Sequence, residues 1–240
     1  SFFTRGCNAA SPTQYGSTVA IGNVVVSPSE FMPRLFAENG RLLDSQGRIT
    51  LDTPEALRAL ENYRETYSYS DRTIYDFWKN ALEGFADGTA AMTVVFINYA
   101  SHILNSQMSR IAGKLGFAPV PGGKPLLGGG VIGITQSCTC PAAACKFLEW
   151  LYADLVAPVF TMLGGLSPCR SAYSNRDISE QYPWLSTARK SFPTAQRRSN
   201  STYYQNFSEL QLETILAAHV QQAVLGVCSP EEALKQAQED

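Results

Sequence analysis

The stretch "GKLGFAPVPGGKPLLGGGVIGIT", residues 113–135, decides how the rest of the chain is read. Glycine and proline alternate with Val, Ile and Leu, and three glycines stand in a row at Gly128, Gly129 and Gly130. A phosphate cradle would need G-x-x-x-x-G-K-[ST] or G-x-G-x-x-G between a strand and a helix. Neither spacing occurs, and these glycines lead into an apolar run typical of a strand. The stretch therefore reads as a short strand "KLGFAPV", a loop "PGGKP", and a strand "LLGGGVIGIT" entered through glycines.

Working outward, the chain alternates strand and helix signals. "STVAIGNVVV", 17–26, is rich in β-branched residues and reads as a strand; a short helix follows, with Ser27 or Ser29 as cap and Gly40 as stop. A turn falls at Asp44–Gly47. Thr53 and Pro54 then open a helix whose Leu57, Leu60 and Tyr63 share one face. Residues 74–86 read as an amphipathic helix, 89–97 as a strand, and "NYASHILNSQ" as a helix start. Beyond the glycines, "PAAACKFLEWLYAD" and "LVAPVFTMLGG" are helical, the first burying Phe147, Leu148, Leu151 and the core tryptophan Trp150. A polar, aromatic stretch over 166–205 looks irregular. Helices close the chain at 207–225 and after Ser229, where Pro230 and Glu232 complete a capping box. The alternation predicts an α/β fold.

Composition narrows the function. With 45% hydrophobic and 17% charged residues, the chain is ordinary globular material for one large domain or two small ones. No apolar run reaches the roughly 18–20 residues of a membrane helix. The start "SFFTRGCNAA" lacks the basic and apolar regions of an export signal and has no Met, so an excised or processed chain is expected. A net charge of −2 and the single basic pair Arg197-Arg198 give no nucleic-acid footprint. The six cysteines are Cys7, Cys138, Cys140, Cys145, Cys169 and Cys228; Cys138-x-Cys140-x4-Cys145 is not a zinc spacing, and no His lies nearby. They read as free thiols, which favours a reducing compartment, and no metal or cofactor is expected.

Catalytic signatures are missing. G-x-S-x-G is absent, and the two histidines, His102 and His219, lie in helical segments without a nucleophile motif beside them. The acids fall on helix starts and polar faces. Paired carboxylates of a glycan hydrolase would have to face each other across a cleft. What stands out is aromatic residues among polar ones: Tyr15, Tyr75, Trp78, Phe96-x-Asn98-Tyr99, Tyr182, Trp184 and Tyr203-Tyr204. Rings beside amides and hydroxyls suit sugars, whose apolar face stacks while the hydroxyls hydrogen-bond.

Five blocks, in order over about residues 50–240, resemble one family. "LEGFADGTAAMTVVFINYAS" is similar to the F-x-x-G-x-A-A-M block of extracellular sugar-binding proteins of ABC transporters, the maltose-binding-protein type. "GKLGFAPVPGGKPLLGGGVIGIT" resembles that family's P-x-P-G loop and glycine-rich strand. "ACKFLEWLYAD", "GGLSPCRSAY" and "GVCSPEEALKQAQ" resemble its A-x-x-F-L-x-W-L helix, G-x-x-P turn and closing helix.

The resemblance implies a type II periplasmic-binding-protein-like α/β fold with two hinged lobes. Residues 8–128 and 166–240 would form the second lobe, and 129–165 the hinge crossing and a first-lobe segment; the remainder of the first lobe would be missing from this chain. The implied function is non-enzymatic carbohydrate binding for an ABC importer. The protein would be a monomer, lipid-anchored outside the cytoplasm, meeting transporter membrane subunits and no nucleic acid. The alternative is a sugar-sensing effector domain of a cytoplasmic winged-helix regulator, which free thiols would suit. Trp78 and Tyr99 would stack on sugar and Asn98 would hydrogen-bond it. Gly129 and Gly130 would present backbone to the ligand. Tyr15, at the start of the first strand, and Trp184, in the irregular region, would edge the cleft.

Overall fold

The computed structural model describes residues 2–22, 24–72, 77–174, 176–198 and 208–240. Two short parallel strands, β1 (Tyr15–Thr18) and β2 (Ala90–Thr93), pair in the register Tyr15↔Ala90, Ser17↔Met92 and Thr18↔Thr93. At their carboxyl ends Thr18 donates its hydroxyl to Thr93 at 2.7 Å. Between the strands lie α1 (Val26–Ala37), α2 (Pro54–Ser68) and α3 (Trp78–Ala86). After β2 come a 3-10 turn at Ile97–Tyr99 and the short α4 (Ala100–Leu104). The helices α5 (Pro141–Leu151), α6 (Val156–Met162), α7 (Ser171–Ser174), α8 (Arg176–Gln181) and α9 (Pro183–Ser191) follow. The chain closes with α10 (Glu209–Leu225) and α11 (Pro230–Glu239).

The helix boundaries follow from side-chain chemistry. Thr53 accepts from the Ala56 amide at 3.2 Å, and Pro54 begins α2 where no amide partner is needed. Ser229 and Glu232 form the capping box of α11, and these hydrogen bonds hold the Glu232 carboxyl below its ordinary pKa. Ser208 and Gln211 do the same for α10, which ends at Gly226 with φ at 78°, a left-handed stop that favours glycine. These helices bury one face each. Phe31, Met32, Leu35 and Phe36 of α1 meet Leu60 and Tyr63 of α2, Leu216 and Val220 of α10, and Leu234 of α11 in one core.

The strands are shorter than their composition predicts. Of "STVAIGNVVV" only the first two residues are strand; Val26 already begins α1, so packing of α1 on α2 and α10 overrides the β preference of the valines. Its start carries no side-chain cap, so neither Ser27 nor Ser29 plays that part. The expected strands in 114–120 and 126–135 do not form. Leu126 makes one parallel bridge with Gln196, and after it the chain runs without a partner strand, leaving Val131 fully exposed. The stretch over 166–198 is not irregular but carries α7, α8 and α9, started in the last case by Pro183. Trp150 is 57% exposed rather than core, beside Phe147 on a bare face of α5. Tyr75, Tyr203 and Tyr204 lie outside the described residues.

Two buried ion pairs tie the helices together. Glu30 and Arg34 pair within α1 at 3.0 Å, and the Arg34 guanidinium sits 4.6 Å from the centre of the Tyr63 ring. Arg198 reaches from the segment after α9 to Glu213 of α10 and to the Ser29 hydroxyl of α1. Burial pushes the Glu213 carboxyl above its ordinary pKa, and Arg198 pulls it back. Arg198→Met therefore strands a buried carboxylate, and the expected loss near neutral pH is about 3 kcal/mol. A stranded Glu213 has a folded-state pKa above its unfolded one, so its charge penalty grows as pH rises and fades as pH falls through the carboxylate range. Urea unfolding checks this: the loss shrinks on acidification, and adding Glu213→Gln restores part of it at neutral pH.

Candidate functional site

In a parallel sheet, ligands sit beyond the carboxyl ends of the strands, where loops of adjustable chemistry emerge. Here the described residues of those loops are 19–22 and 24–25 after β1 and 94–99 after β2. Trp78, the first residue of α3, lies against both. It packs with Val25 on the Ala20, Val26 and Ala81 cluster, and its ring meets Phe96 edge-on with centroids 4.9 Å apart. Phe77, 44% exposed, adds a third ring 5.2 Å from Trp78. Asn98 is exposed in the 3-10 turn, and Tyr99 is half-buried against Leu82, Ala86 and Ile103. Val25, Trp78, Phe96, Asn98 and Tyr99 carry no ionised group.

The glycines touch this wall at two points. A Cβ on Gly128 would lie 3.1 Å from the Phe96 ring, so the absence of a side chain there lets the chain pass close to the aromatic. Gly164, with φ at 95° at the end of α6, lies so close to the Ser101 side chain that no Cβ fits between them. The stretch from 129 to 163 thus leaves and re-enters beside Phe96–Ser101.

The predicted site residues divide accordingly. Trp78 meets Phe96, two and three residues before Asn98 and Tyr99, while Tyr99 packs on the separate Leu82, Ala86 and Ile103 cluster. Gly129 and Gly130 are exposed, with open space where a Cβ would stand; it is Gly128 that contacts the wall. Tyr15 is at the opposite end of β1, about 10 Å away at the ordinary rise per residue. There its hydroxyl accepts from Gln14, and burial with the neighbouring Asp71 raises its pKa. Trp184 does not edge a cleft either: it is 1% exposed and shares a core with Ala100, Tyr173 and the nearby Ile97, supporting the wall from behind. Sequence reasoning marks Phe96 among the aromatics beside polar residues but gives it no ligand role, and it passes over Phe77, which stands beside Trp78. Among the described residues no cluster of three His, Cys, Asp or Glu side chains is placed to hold a metal, and His219 pairs with Asp240.

Residues 9–187 match the sequence pattern of the bacterial extracellular solute-binding protein family. The chain belongs to that family. Membership places this solute-binding protein outside the cytoplasm, and among its described residues no helix is long and apolar enough to cross a membrane. Its fold is that of the type II periplasmic binding proteins. It superposes on maltose-bound MalE3 of T. maritima with a TM-score of 0.79 at 23% identity, covering 94% of this chain and 59% of that one. A solute-binding protein of Agrobacterium radiobacter K84 in complex with ribitol gives 0.74 at 22% identity, covering 94% and 58%. A probable amino-acid ABC transporter periplasmic-binding protein of Sinorhizobium fredii is 20% identical over 182 residues, which is 75% of this chain and 42% of that protein. The solute-binding chain therefore spans little more than half the length of these solved structures, and less than half of that curated relative.

The contact at Gly128 is directly testable. In Gly128→Val the new side chain displaces Phe96 from Trp78. The expected result is a change in near-ultraviolet circular dichroism with stability within about 1 kcal/mol of the parent, since the site is exposed. An unchanged spectrum shows that Gly128 does not hold Phe96 in place.

Proposed function

We propose that this chain binds a neutral sugar or polyol at the Trp78–Phe96–Asn98–Tyr99 wall, as part of the solute-binding component of an ABC importer. The observation that carries the reading is the wall itself: rings and an amide at the strand ends, with no ionised side chain among them. A pyranose or polyol presents C–H groups to an aromatic face, and the Asn98 amide offers both a donor and an acceptor to its hydroxyls. An amino acid, by contrast, brings an ammonium and a carboxylate that a closed site must pair with charge or hydrogen bonds. The maltose and ribitol bound by the two structures above are neutral and support the sugar reading.

In this reading residues 8–128 and 166–240 form one lobe, and 129–165 crosses to the other. The close glycine contacts at Gly128 and Gly164 support crossings at these two places. So does the apolar face of 131–163, where Val131, Trp150, Leu155 and Leu163 are all more than half exposed. The remainder of a first lobe covers that face, and the sugar lies between the lobes. The protein works as a lipid-anchored monomer that delivers its cargo to transporter membrane subunits and carries out no chemistry on it.

Calorimetry with maltose and ribitol tests the assignment. Trp78→Ala weakens binding by about 1–3 kcal/mol, the usual worth of a buried aromatic contact. Tyr99→Ala does likewise, while Tyr99→Phe isolates the hydroxyl. Unchanged affinity in both alanine variants removes the stacking role.

A further inference from the structure

The chain departs at Gly128 from a short segment that is tied down at several points. Gly122 passes so close to Ala37 of α1 that no Cβ fits between them, Lys124 donates to the Asn39 side chain, and Leu126 packs on the main core. Gln196 makes the last tie. Its amide donates to the Pro125 carbonyl at 2.9 Å, and the Leu127 amide donates to the Gln196 carbonyl at 2.7 Å. Among the described residues, no further backbone hydrogen bond holds the chain until the turn at Thr135–Cys138. Gln196 itself lies beyond α9 and outside any helix. Its own anchor stands two residues on, at most about 7 Å along the chain. There Arg198 divides its guanidinium between the Ser29 hydroxyl of α1 and the Glu213 carboxylate of α10, with Glu209 at 4.0 Å.

From this arrangement we propose that Arg198 is a positioning residue for the aromatic wall, acting through Gln196 on the point where the chain departs at Gly128; its effect on sugar affinity rests on the sugar-binding reading above. Each link is a contact. Ser29 and Glu213 hold Arg198, Gln196 pairs with Pro125 and Leu127, and Gly128, the next residue, lies against Phe96, whose ring meets Trp78. A buried ion pair adds little net stability over an apolar contact of the same volume; what it can supply is one fixed register. The guanidinium places its two arms on two different helices, so the 196–198 strap has one position that satisfies both. A strap free to shift would let Gly128 retreat from Phe96, and binding energy would then be spent on ordering the wall.

The test uses the full chain with two strap variants. Arg198→Met combined with Glu213→Gln removes the pair without leaving a buried carboxylate. Gln196→Pro deletes the amide bound to Pro125, at a position whose predecessor Ala195 is already extended, with ψ at 136°, as a following proline requires. Ser229→Ala, which removes the α11 cap, serves as a variant that lowers stability alone. Amide exchange of Leu127 relative to Leu60 of α2, near-ultraviolet circular dichroism, and calorimetry with maltose and ribitol are measured on each, alongside Trp78→Ala. In both strap variants the exchange ratio is expected to rise at least tenfold, the aromatic spectrum to change, and the dissociation constant for the sugar the parent binds to rise at least threefold. Ser229→Ala leaves all three at parental values. Failure of any of these readouts in either strap variant, or the same changes in Ser229→Ala, overturns the positioning role. If Trp78→Ala weakens binding and the strap variants do not, the sugar site stands and only the role of Arg198 is lost. A parent chain that binds neither maltose nor ribitol removes the sugar reading, and the exchange ratio and the spectrum then decide whether Arg198 positions the Phe96 contact.

Discussion

The hydroxyl of Tyr63 links the core of this protein to the loop that follows β1. Tyr63 is fully buried in the stripe that α2 presents to α1 and α10, so its ring is fixed by the same packing that holds the helices together. Its one polar atom donates to the Ala20 carbonyl, at the point where the chain leaves β1. Burial, with the Glu30 carboxylate nearby, pushes the phenol well above its ordinary pKa, so it stays a neutral donor. Arg34 lies over the ring and pairs with Glu30, whose own pKa is raised by burial and lowered again by Arg34. A charged pair, an aromatic ring and a backbone carbonyl thus meet in the interior, where the Arg34 Nε alone of their polar atoms lacks a hydrogen-bond partner. Loss of any member leaves a buried polar group without a partner.

How far the sequence foretold this depends on whether the information is local. Thr53-Pro54 and Ser229-Pro230-x-Glu232 are capping chemistry contained within four residues, and the helices begin there. The strands needed more. "STVAIGNVVV" has the composition of a strand, but the valines at 24–26 are taken up by a turn and by α1, because burial of Phe31, Met32 and Leu35 sets where that helix starts. The apolar run at 131–134 is a strand only if another strand lies beside it. Among the described residues none does, so local propensity has nothing to pair with.

The placement of the candidate site residues was legible in part for the same reason. Trp78, Asn98 and Tyr99 lie in loops or at helix starts following the sheet, and aromatic residues among polar neighbours marked them. Tyr15 carried the same local mark. Which end of a strand a residue occupies depends on strand direction and pairing, and Tyr15 falls at the amino end. In sequence Trp184 reads as a rim residue because its surroundings look irregular, yet Leu185 and Ala188 give its helix a buried face that encloses the indole. Trp150 errs the other way: its helix has an apolar face, but the described residues place nothing against it.

That bare face and the two glycine contacts have one physical explanation in the proposed reading. Apolar side chains as large as Trp150, Leu155 and Leu163 are costly to leave together in water. In that reading a first lobe would remove the cost by covering α5 and α6. The chain would then cross between lobes, and the crossings would need backbone that bends without colliding with its neighbours. Gly128 and Gly164 would supply it where the stretch between them departs and returns. One contacts Phe96 and the other Ser101, two residues that bracket Asn98 and Tyr99. A sugar pressed against this wall would therefore act on the same short segment that both crossings touch. Ligand contact and lobe closure would share residues, so the binding energy that favours the closed arrangement would be applied at the hinge itself.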